Sequence, residues 1–149
     1  MADLATILHG YQRVGLDTSV FIYHIEGTAR FAEPAGAALE ALARGSFIGV
    51  TSVLTLMEIA VKPLQVGRPD VAEEYEVLLA NYPNLVLATI GGPTARWAAR
   101  LRATHRLRPA DALQLASCLE QQAAAFLTND KELRRVTEIE VLMLADFVS

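Results

Sequence analysis

Four acidic residues from four separate segments stand where their carboxylates could act together. Asp17 follows the short run RVGL, Asp130 follows the apolar run AAFL, Asp111 lies just after Pro109, and Glu58 lies within an otherwise apolar stretch. Clustered carboxylates without matching cations repel one another, which raises their pKa values or recruits a cation. A hard divalent ion such as Mg²⁺ accepts carboxylate ligands, neutralises phosphate charge and activates water for in-line attack. The pattern therefore indicates metal-dependent cleavage of phosphodiesters.

Three of these residues also have a local structural interpretation. Asp17 is a favoured type for a helix N-cap or a turn. Asp111, in the first turn of a predicted helix, would complement the helix dipole. Asp130 follows Asn129, which can act as an N-cap with Glu132 three residues later in a capping-box arrangement.

Glu58 belongs to a narrow polar stripe with Thr51, Thr55 and Lys62 at helical spacing. One interpretation is that this stripe faces a cleft, because the rest of the segment is almost wholly apolar. The other is a solvated stripe in which Glu58 and Lys62 form an i,i+4 ion pair, worth only a few tenths of a kcal/mol.

The elements that must position these residues alternate along the chain. Strands are predicted over 13–16, 47–50, 85–90, 124–128 and 138–144. Helices are predicted over 20–27 (capped by Thr18 or Ser19), 31–44, 52–62 (ending before Pro63), 69–81, 93–106, 109–123 and, briefly, 129–136. Strands joined through helices predict an α/β fold with a mainly parallel sheet covered on both faces. Ligands in such sheets bind beyond the carboxyl ends of the strands.

Composition limits the class of protein. The 149 residues are 52% hydrophobic and 20% charged, with a net charge of −4, which excludes a disordered chain and suits one domain spanning 1–149. Proteins that bind nucleic acid mainly through phosphate contacts are usually basic. Because this chain is acidic, any nucleic-acid binding must depend on a local site or on metal ions. The lone Cys118, the lack of a targeting signal and the lack of a membrane-spanning run predict a soluble cytoplasmic protein.

Four sequence blocks resemble, in order, the motif blocks of a known family. They are LDTSVFIY at 16–23, TSVLTLMEI at 51–59, RPADALQLASC at 108–118 and FLTND at 126–130. The chain resembles the PIN-domain family, and within it the VapC-type toxins of toxin–antitoxin pairs. The resemblance implies a three-layer α/β/α sandwich with a central parallel sheet.

The resemblance also implies a site and an activity. By position, Asp17, Glu58, Asp111 and Asp130 correspond to the family's catalytic and metal-binding carboxylates, and Thr128 to a hydroxyl that lines the site. The implied function is an Mg²⁺- or Mn²⁺-dependent endoribonuclease, with an antitoxin covering the cleft and a homodimeric toxin. In the hypothetical mechanism, the three aspartates hold one or two ions, and Glu58 binds metal directly or orients a bound water, which attacks phosphorus.

Three other groups of residues have open interpretations. The cations nearest the carboxylates along the chain either steer RNA or are ordinary surface residues: Lys62, Arg108 and Lys131. A basic strip in the predicted helix 93–106 either faces RNA or is solvated: Arg96, Arg100, Arg102 and Arg106 around Trp97 and Leu101. Aromatic residues near the start either belong to the core or line a groove for a partner helix: Phe21, Tyr23 and Phe31.

Two alternative functions stay open at this point. One is a PIN-like nuclease outside a toxin pair, acting in RNA processing or on structured DNA. The other is a non-catalytic binding module with the same fold, against which the four intact acidic positions argue. Nucleotide-binding and serine-hydrolase motifs (GxGxxG, Walker A, GxSxG) are absent from the sequence.

Overall fold

Strands and helices alternate along the chain in the computed structural model, which describes residues 3–148. The strands are β1 (Arg13–Leu16), β2 (Ile48–Ser52), β3 (Leu85–Ala88), β4 (Ala125–Thr128) and β5 (Glu140–Met143). The helices are α1 (Leu4–His9), α2 (Thr18–Glu26), α3 (Ala32–Ala43), α4 (Val53–Gln65), α5 (Pro69–Ala80), α6 (Gly92–His105) and α7 (Pro109–Glu120). Short 3₁₀ helices span Lys131–Arg135 and Leu144–Phe147.

The five strands form one parallel sheet in the order β3-β2-β1-β4-β5. Successive strands run outward from β1 to β3 in one direction and from β4 to β5 in the other. The order therefore reverses between β1 and β4, and the carboxyl ends of these two strands border the crevice where ligands bind in open α/β sheets. Asp17 directly follows β1, and Asp130 comes two residues after β4.

A hydrophobic layer lies on each face of the sheet, which confirms the predicted α/β/α sandwich. Side chains of α1 to α5 pack on one face against Val14, Leu16 and Leu127, and α6 and α7 pack on the other against Val50 and Phe126. Each strand contributes alternate residues to the two layers, so the middle of each strand is apolar on both sides, as a sheet buried on both faces requires.

Gly15 allows α7 to lie close to the centre of the sheet. A Cβ placed on Gly15 would come 2.5 Å from the Cys118 sulfur and 2.7 Å from the Phe126 ring. The Cys118 thiol is fully buried there, and burial raises its pKa. This close approach sets the depth at which α7 presents its first turn, including Asp111, to the carboxyl edge.

Several predicted element boundaries were wrong. Helix α4 does not end before Pro63 but continues to Gln65. The buried proline ring costs one helical hydrogen bond near the end of the helix, where Val66 and Arg68 donate to the carbonyls of Lys62 and Pro63. Helix α1 is an addition to the predicted elements: Asp3 caps it through the N–H of Thr6. No helix among residues 3–148 has the length and apolar character needed to cross a bilayer.

Candidate active site

Asp17 lies at the centre of the carboxyl edge, held by hydrogen bonds from two neighbouring segments. It is the N-cap of α2, and its Oδ1 accepts a 2.8 Å bond from the N–H of Thr18. Its Oδ2 accepts a 2.6 Å bond from the hydroxyl of Thr128, the last residue of β4. The capping interpretation of Asp17 and a role in a shared site are therefore compatible, although the cap is Asp17 itself and not Thr18 or Ser19.

The surroundings of Asp17 disfavour the ionised form of its carboxyl group. Burial raises the pKa of Asp17 to about 6, the hydrogen bonds from Thr128 and Thr18 oppose that rise, and the negative charges of Asp111 and Glu58 add to it. These mutual effects place three of the four predicted carboxylates in one electrostatic neighbourhood. A group that ionises reluctantly beside other carboxylates gains most from a nearby cation.

Glu58 is joined to Asp17 through the next residue along the chain. The Thr18 hydroxyl donates a 2.7 Å hydrogen bond to Glu58 Oε1 and lies 2.9 Å from the Thr55 hydroxyl. An ionised carboxylate can only accept hydrogen bonds, so the single hydroxyl proton of Thr18 is donated to Glu58. The hydrogen bond between Thr18 and Thr55 must therefore be donated by Thr55. Thr51, 2.7 Å from Thr55, then donates to Thr55. The result is a one-way chain of hydroxyl groups that ends on the Glu58 carboxylate.

Thr51 and Thr55 do not line a cleft, so that part of the polar-stripe interpretation was wrong. Both are fully buried, and Thr51 belongs to β2 rather than to α4. Lys62 does not pair with Glu58 either: its Nζ lies 3.1 Å from Glu26 Oε1. Glu58 is exposed at the mouth of the site, while the hydroxyls behind it are internal supports.

Arg108 bridges the other two carboxylates. Its Nε donates to Asp111 Oδ2 and its terminal nitrogen donates to Asp130 Oδ2, each at 3.1 Å. The Arg108 side chain is 76% exposed, whereas the Asp111 and Asp130 side chains are 22% and 24% exposed. The guanidinium therefore covers the two acids from the solvent side, where another cation could replace it.

Asp130 also shapes the loop that carries it. Its Oδ1 accepts from the N–H of Glu132 at 3.0 Å, so Asp130 and not Asn129 caps the 3₁₀ helix that follows. Its own N–H donates to the Thr128 hydroxyl at 3.1 Å. Thr128 thus connects Asp17 and Asp130 through one oxygen atom. Asn129 donates instead to the Tyr23 hydroxyl.

The donor set fits a divalent cation, although its members are not arranged as a closed cage. Within residues 3–148, no group of three or more His, Cys, Asp and Glu side chains is positioned to hold a metal ion as it stands. Asp17 and Glu58 are held by hydroxyls, and Asp111 and Asp130 by Arg108. All four offer carboxylate oxygens, the ligands that Mg²⁺ and Mn²⁺ prefer, and the guanidinium already fills the role of a cation between two of them.

Two supporting residues were missed by the sequence reasoning. Gln114 of α7 is buried, and its Nε2 donates to Thr51 at 3.2 Å and to Thr55 at 3.0 Å, while its Oε1 accepts from Ser52. Thr18 links Asp17 to Glu58. A glutamine on the apolar face of α7 is the one signal that could have pointed to a buried polar network.

The aromatic residues near the start of the chain and the cation Lys131 lie outside the carboxylate site. Phe21 belongs to the core, and Tyr23 stacks on Phe31 at 5.0 Å between ring centroids. Lys131 is exposed in the 3₁₀ helix that follows Asp130.

An apolar groove of about 280 Å³ adjoins the site between α2, α4 and α5. Glu58 and Lys62 lie on its polar side, and most of the lining is apolar: Ile22, Ile25, Ile59, Pro63, Val66, Val71 and Tyr75. The groove is therefore continuous with the carboxylate site through Glu58.

Several solved structures share this fold. VapBC2 from Rickettsia felis, bound to a promoter DNA fragment, superposes with a TM-score of 0.69 at 15% identity, covering 88% of this chain and 98% of that one. A toxin–antitoxin complex from Klebsiella pneumoniae gives 0.66 at 21% identity, with 88% and 97% covered. VapBC-5 from Mycobacterium tuberculosis gives 0.58 at 23% identity, with 89% and 98% covered.

Comparison with curated proteins gives no significant match. The sequence profile of the PIN domain, in contrast, matches residues 14–139, which run from β1 to the residue before β5 and include all four carboxylates. With the sheet order and the sandwich already described, this match assigns the chain to a family: it belongs to the PIN domain family.

Proposed function

We propose that this protein is a metal-dependent endoribonuclease, the toxin of a type II toxin–antitoxin pair, acting as one nuclease domain over residues 1–149. Asp17, Glu58, Asp111 and Asp130 are its catalytic carboxylates and its Mg²⁺ or Mn²⁺ ligands, and Thr128 lines the site. The observation that carries the proposal is that Thr18, Thr128 and Arg108 connect carboxylates from four segments at the point where the strand order reverses.

In this mechanism the residues of the chain hold the carboxylates in position and set the charge of the site. Thr128 and the N–H of Thr18 fix both oxygens of Asp17, and Thr18 fixes Glu58. Arg108 shields Asp111 and Asp130 until another cation takes its place. A bound divalent ion supplies Lewis-acid polarisation of the phosphate and activation of water. Glu58, at the exposed mouth, is placed to accept a proton from the attacking water.

The direct test is cleavage of a mixed cellular RNA pool with Mg²⁺, with Mn²⁺ and with EDTA. The wild type would run beside Asp17→Asn and Asp111→Asn, which preserve shape and remove charge. Glu40→Gln is the matched control, because Glu40 is an exposed carboxylate on α3 that forms an ion pair with Arg44, away from the site. Circular dichroism would establish that each variant is folded.

We expect cleavage that requires metal, vanishes in both aspartate variants and persists in Glu40→Gln. No cleavage by folded, partner-free wild type with either metal would contradict the ribonuclease proposal. Cleavage of structured DNA in its place would favour a PIN-like nuclease outside a toxin pair.

An antitoxin partner is supported by the solved relatives, several of which are toxin–antitoxin complexes. We propose that an apolar segment of this partner occupies the groove between α2, α4 and α5. That groove opens onto Glu58, so a segment lying in it would also obstruct the carboxylate site. Binding of the antitoxin segment in the groove would then be enough to inhibit RNA cleavage.

The toxin role is tested in cells. Induced expression should arrest growth, Asp17→Asn should relieve the arrest, and co-expression with the product of a neighbouring small reading frame should also relieve it. Ile25→Glu, which puts a charge into the groove, should abolish that protection while leaving RNA cleavage intact. Protection that survives Ile25→Glu would contradict the groove as the antitoxin site.

A homodimer and a cytoplasmic location complete the proposal. Helix α4 exposes apolar side chains at i, i+4 and i+7, namely Met57, Val61 and Leu64, which are 56%, 45% and 55% exposed. Such a stripe supports association with a second copy. Light scattering would measure the mass in solution, and Val61→Glu should reduce it to that of one chain.

A further inference from the structure

A second, polar cleft lies beside the carboxylates and shares no lining residue with the apolar groove. It has a volume of about 320 Å³ and is lined by Arg106, Leu107, Arg108, Asp111, Glu132 and Arg135. We call it the arginine cleft. It joins the end of α6, the first turn of α7 and the 3₁₀ helix after Asp130, and it shares Asp111 and Arg108 with the proposed active site.

Two of the three arginines in the cleft are already engaged. Arg108 bridges Asp111 and Asp130. Arg135 pairs with Glu132 and also donates to the backbone carbonyls of His105 and Arg106. The Arg106 guanidinium, in contrast, makes no ion pair or hydrogen bond with any side chain in the described part of the chain. The cleft therefore holds one guanidinium that has no direct ion-pair or hydrogen-bond partner among the described side chains.

The left-handed conformation of Arg106 does not select an arginine, although the helix dipole favours a cation at the C-terminal end of α6. Arg106 ends α6 in the left-handed conformation, with φ 56° and ψ 43°. Glycine or asparagine suits this position better, because a Cβ is strained there. A long, charged side chain at a position where glycine is favoured points to a use for the side chain itself.

The surroundings favour an anion of extended shape. Residues 77–110 contain five arginines and no acidic residue, although the whole chain is acidic. Arg96 and Arg100 are exposed about one turn apart on α6, the helix that ends at Arg106. The carbonyl contacts of Arg135 fix the end of α6, so the arginine cleft is held in shape before any ligand arrives.

We propose that the arginine cleft binds a backbone phosphate of single-stranded RNA next to the one being cleaved, with Arg106 as the contacting residue. The inference rests on the proposed ribonuclease function and adds to it the path of the substrate: out of the carboxylate site, past Asp111 and along α6. A guanidinium suits this task because it donates two parallel hydrogen bonds to phosphate oxygens. Arg135 shapes the cleft, and Arg106 holds the ligand.

The test measures binding separately from cleavage. A labelled single-stranded RNA of mixed sequence is titrated with Asp17→Asn protein, which blocks the proposed chemistry, between about 50 and 200 mM salt. Arg106→Gly and Arg106→Lys are compared in that background. Gln122→Gly is the control for the backbone, since Gln122 is also left-handed at φ 65°. Arg44→Gln is the control for net charge.

We expect Arg106→Gly to weaken RNA binding about tenfold and to lower the slope of log K against log salt by about 0.7, the share of one phosphate contact. Arg106→Lys should keep the slope, and both controls should match the parent. In active protein, Arg106→Gly should raise KM and leave kcat nearly unchanged.

The two proposals can fail separately. Suppose that cleavage requires metal, but Arg106→Gly changes neither the RNA affinity, nor the salt slope, nor KM. That result would overturn the proposal for the arginine cleft and leave the ribonuclease proposal standing. Binding that depends on Arg106, without cleavage by the wild type, would keep the cleft and overturn the ribonuclease. Equal losses in Arg106→Gly and Arg44→Gln would also overturn the cleft, because net charge would then explain them.

Discussion

The hydroxyl of Thr128 donates a 2.6 Å hydrogen bond to Oδ2 of Asp17 and accepts a 3.1 Å bond from the N–H of Asp130. The two partners come from loops after neighbouring strands, 113 positions apart in the numbering of the chain. One oxygen atom therefore sets the relative placement of two proposed metal ligands. Its removal should affect metal binding as well as folding.

Thr128→Val removes this hydroxyl while keeping the shape of the side chain. Asp17 Oδ2 and the N–H of Asp130 would each lose a partner, which costs about 1–3 kcal/mol of folding stability. The metal concentration needed for half-maximal cleavage should rise about 10- to 100-fold, as expected when a residue that orients metal ligands is lost. Metal titrations of activity and thermal unfolding would measure both effects. Thr128→Ser keeps the hydroxyl and should behave like the wild type; an equal defect in Thr128→Ser would contradict the hydrogen bond as the cause.

Asp17→Asn should make the metal-free protein more stable at neutral pH. The pKa of Asp17 is raised from 3.8 to about 6 in the folded protein, so the folded state binds this proton more tightly than the unfolded state. The stability that protonation provides is present below pH 4 and is lost as the pH rises through about 6. The difference between the two pKa values corresponds to about 3 kcal/mol as an upper limit.

The measurement is urea unfolding of both proteins in EDTA from about pH 4 to pH 7.5, spanning the two pKa values. Asparagine also serves as an N-cap, so α2 keeps its start in the variant. The gain in stability should be largest at neutral pH and should disappear toward pH 4. A gain that is the same at every pH would show that ionisation of Asp17 is not its source.

Arg108→Ala should strengthen metal binding. The guanidinium bridges Asp111 and Asp130, so an incoming cation must compete with it. Because Arg108 is largely exposed, the gain should be modest, about two- to fivefold in affinity for Mn²⁺. Calorimetric titration measures it, with Arg44→Ala as the control for lost charge. Weaker binding in Arg108→Ala would mean that Arg108 helps to organise the carboxylates rather than competing for them.

Gly15→Ala should destabilise the fold. The added methyl group would overlap the Cys118 sulfur and the Phe126 ring, and such overpacking costs about 1–3 kcal/mol. Gly36→Ala is the matched control, because Gly36 lies within α3 and a Cβ there comes no closer than 3.4 Å to another group. That variant should be neutral or more stable by up to about 1 kcal/mol. Urea unfolding compares the two, and equal stability of both variants would contradict the close packing of α7.

The sequence by itself determined the order of the elements and the candidate carboxylates. Short apolar runs mark strands buried on both faces, and prolines and glycines mark the ends of most helices, because these signals depend on neighbouring residues only. Since the carboxyl ends of parallel strands meet at one edge, the positions of Asp17 and Asp130 after their strands were enough to predict that they are neighbours. Glu58 was predicted from its polar stripe and Asp111 from its place in the first turn of a helix, and the family resemblance assigned both to the same site.

Only the tertiary structure decided how these residues are held. The bridge from Arg108 to Asp111 and Asp130, and the chain of hydroxyls behind Glu58, join segments that are far apart in sequence. Such contacts depend on how deeply each helix packs, which Gly15 sets for α7. The helix through Pro63 ran past its predicted end for a similar reason: burial of the ring outweighed a local signal to stop. Local sequence patterns determine where helices and strands form. Which side chains from distant segments contact each other is determined by how the helices pack on the sheet.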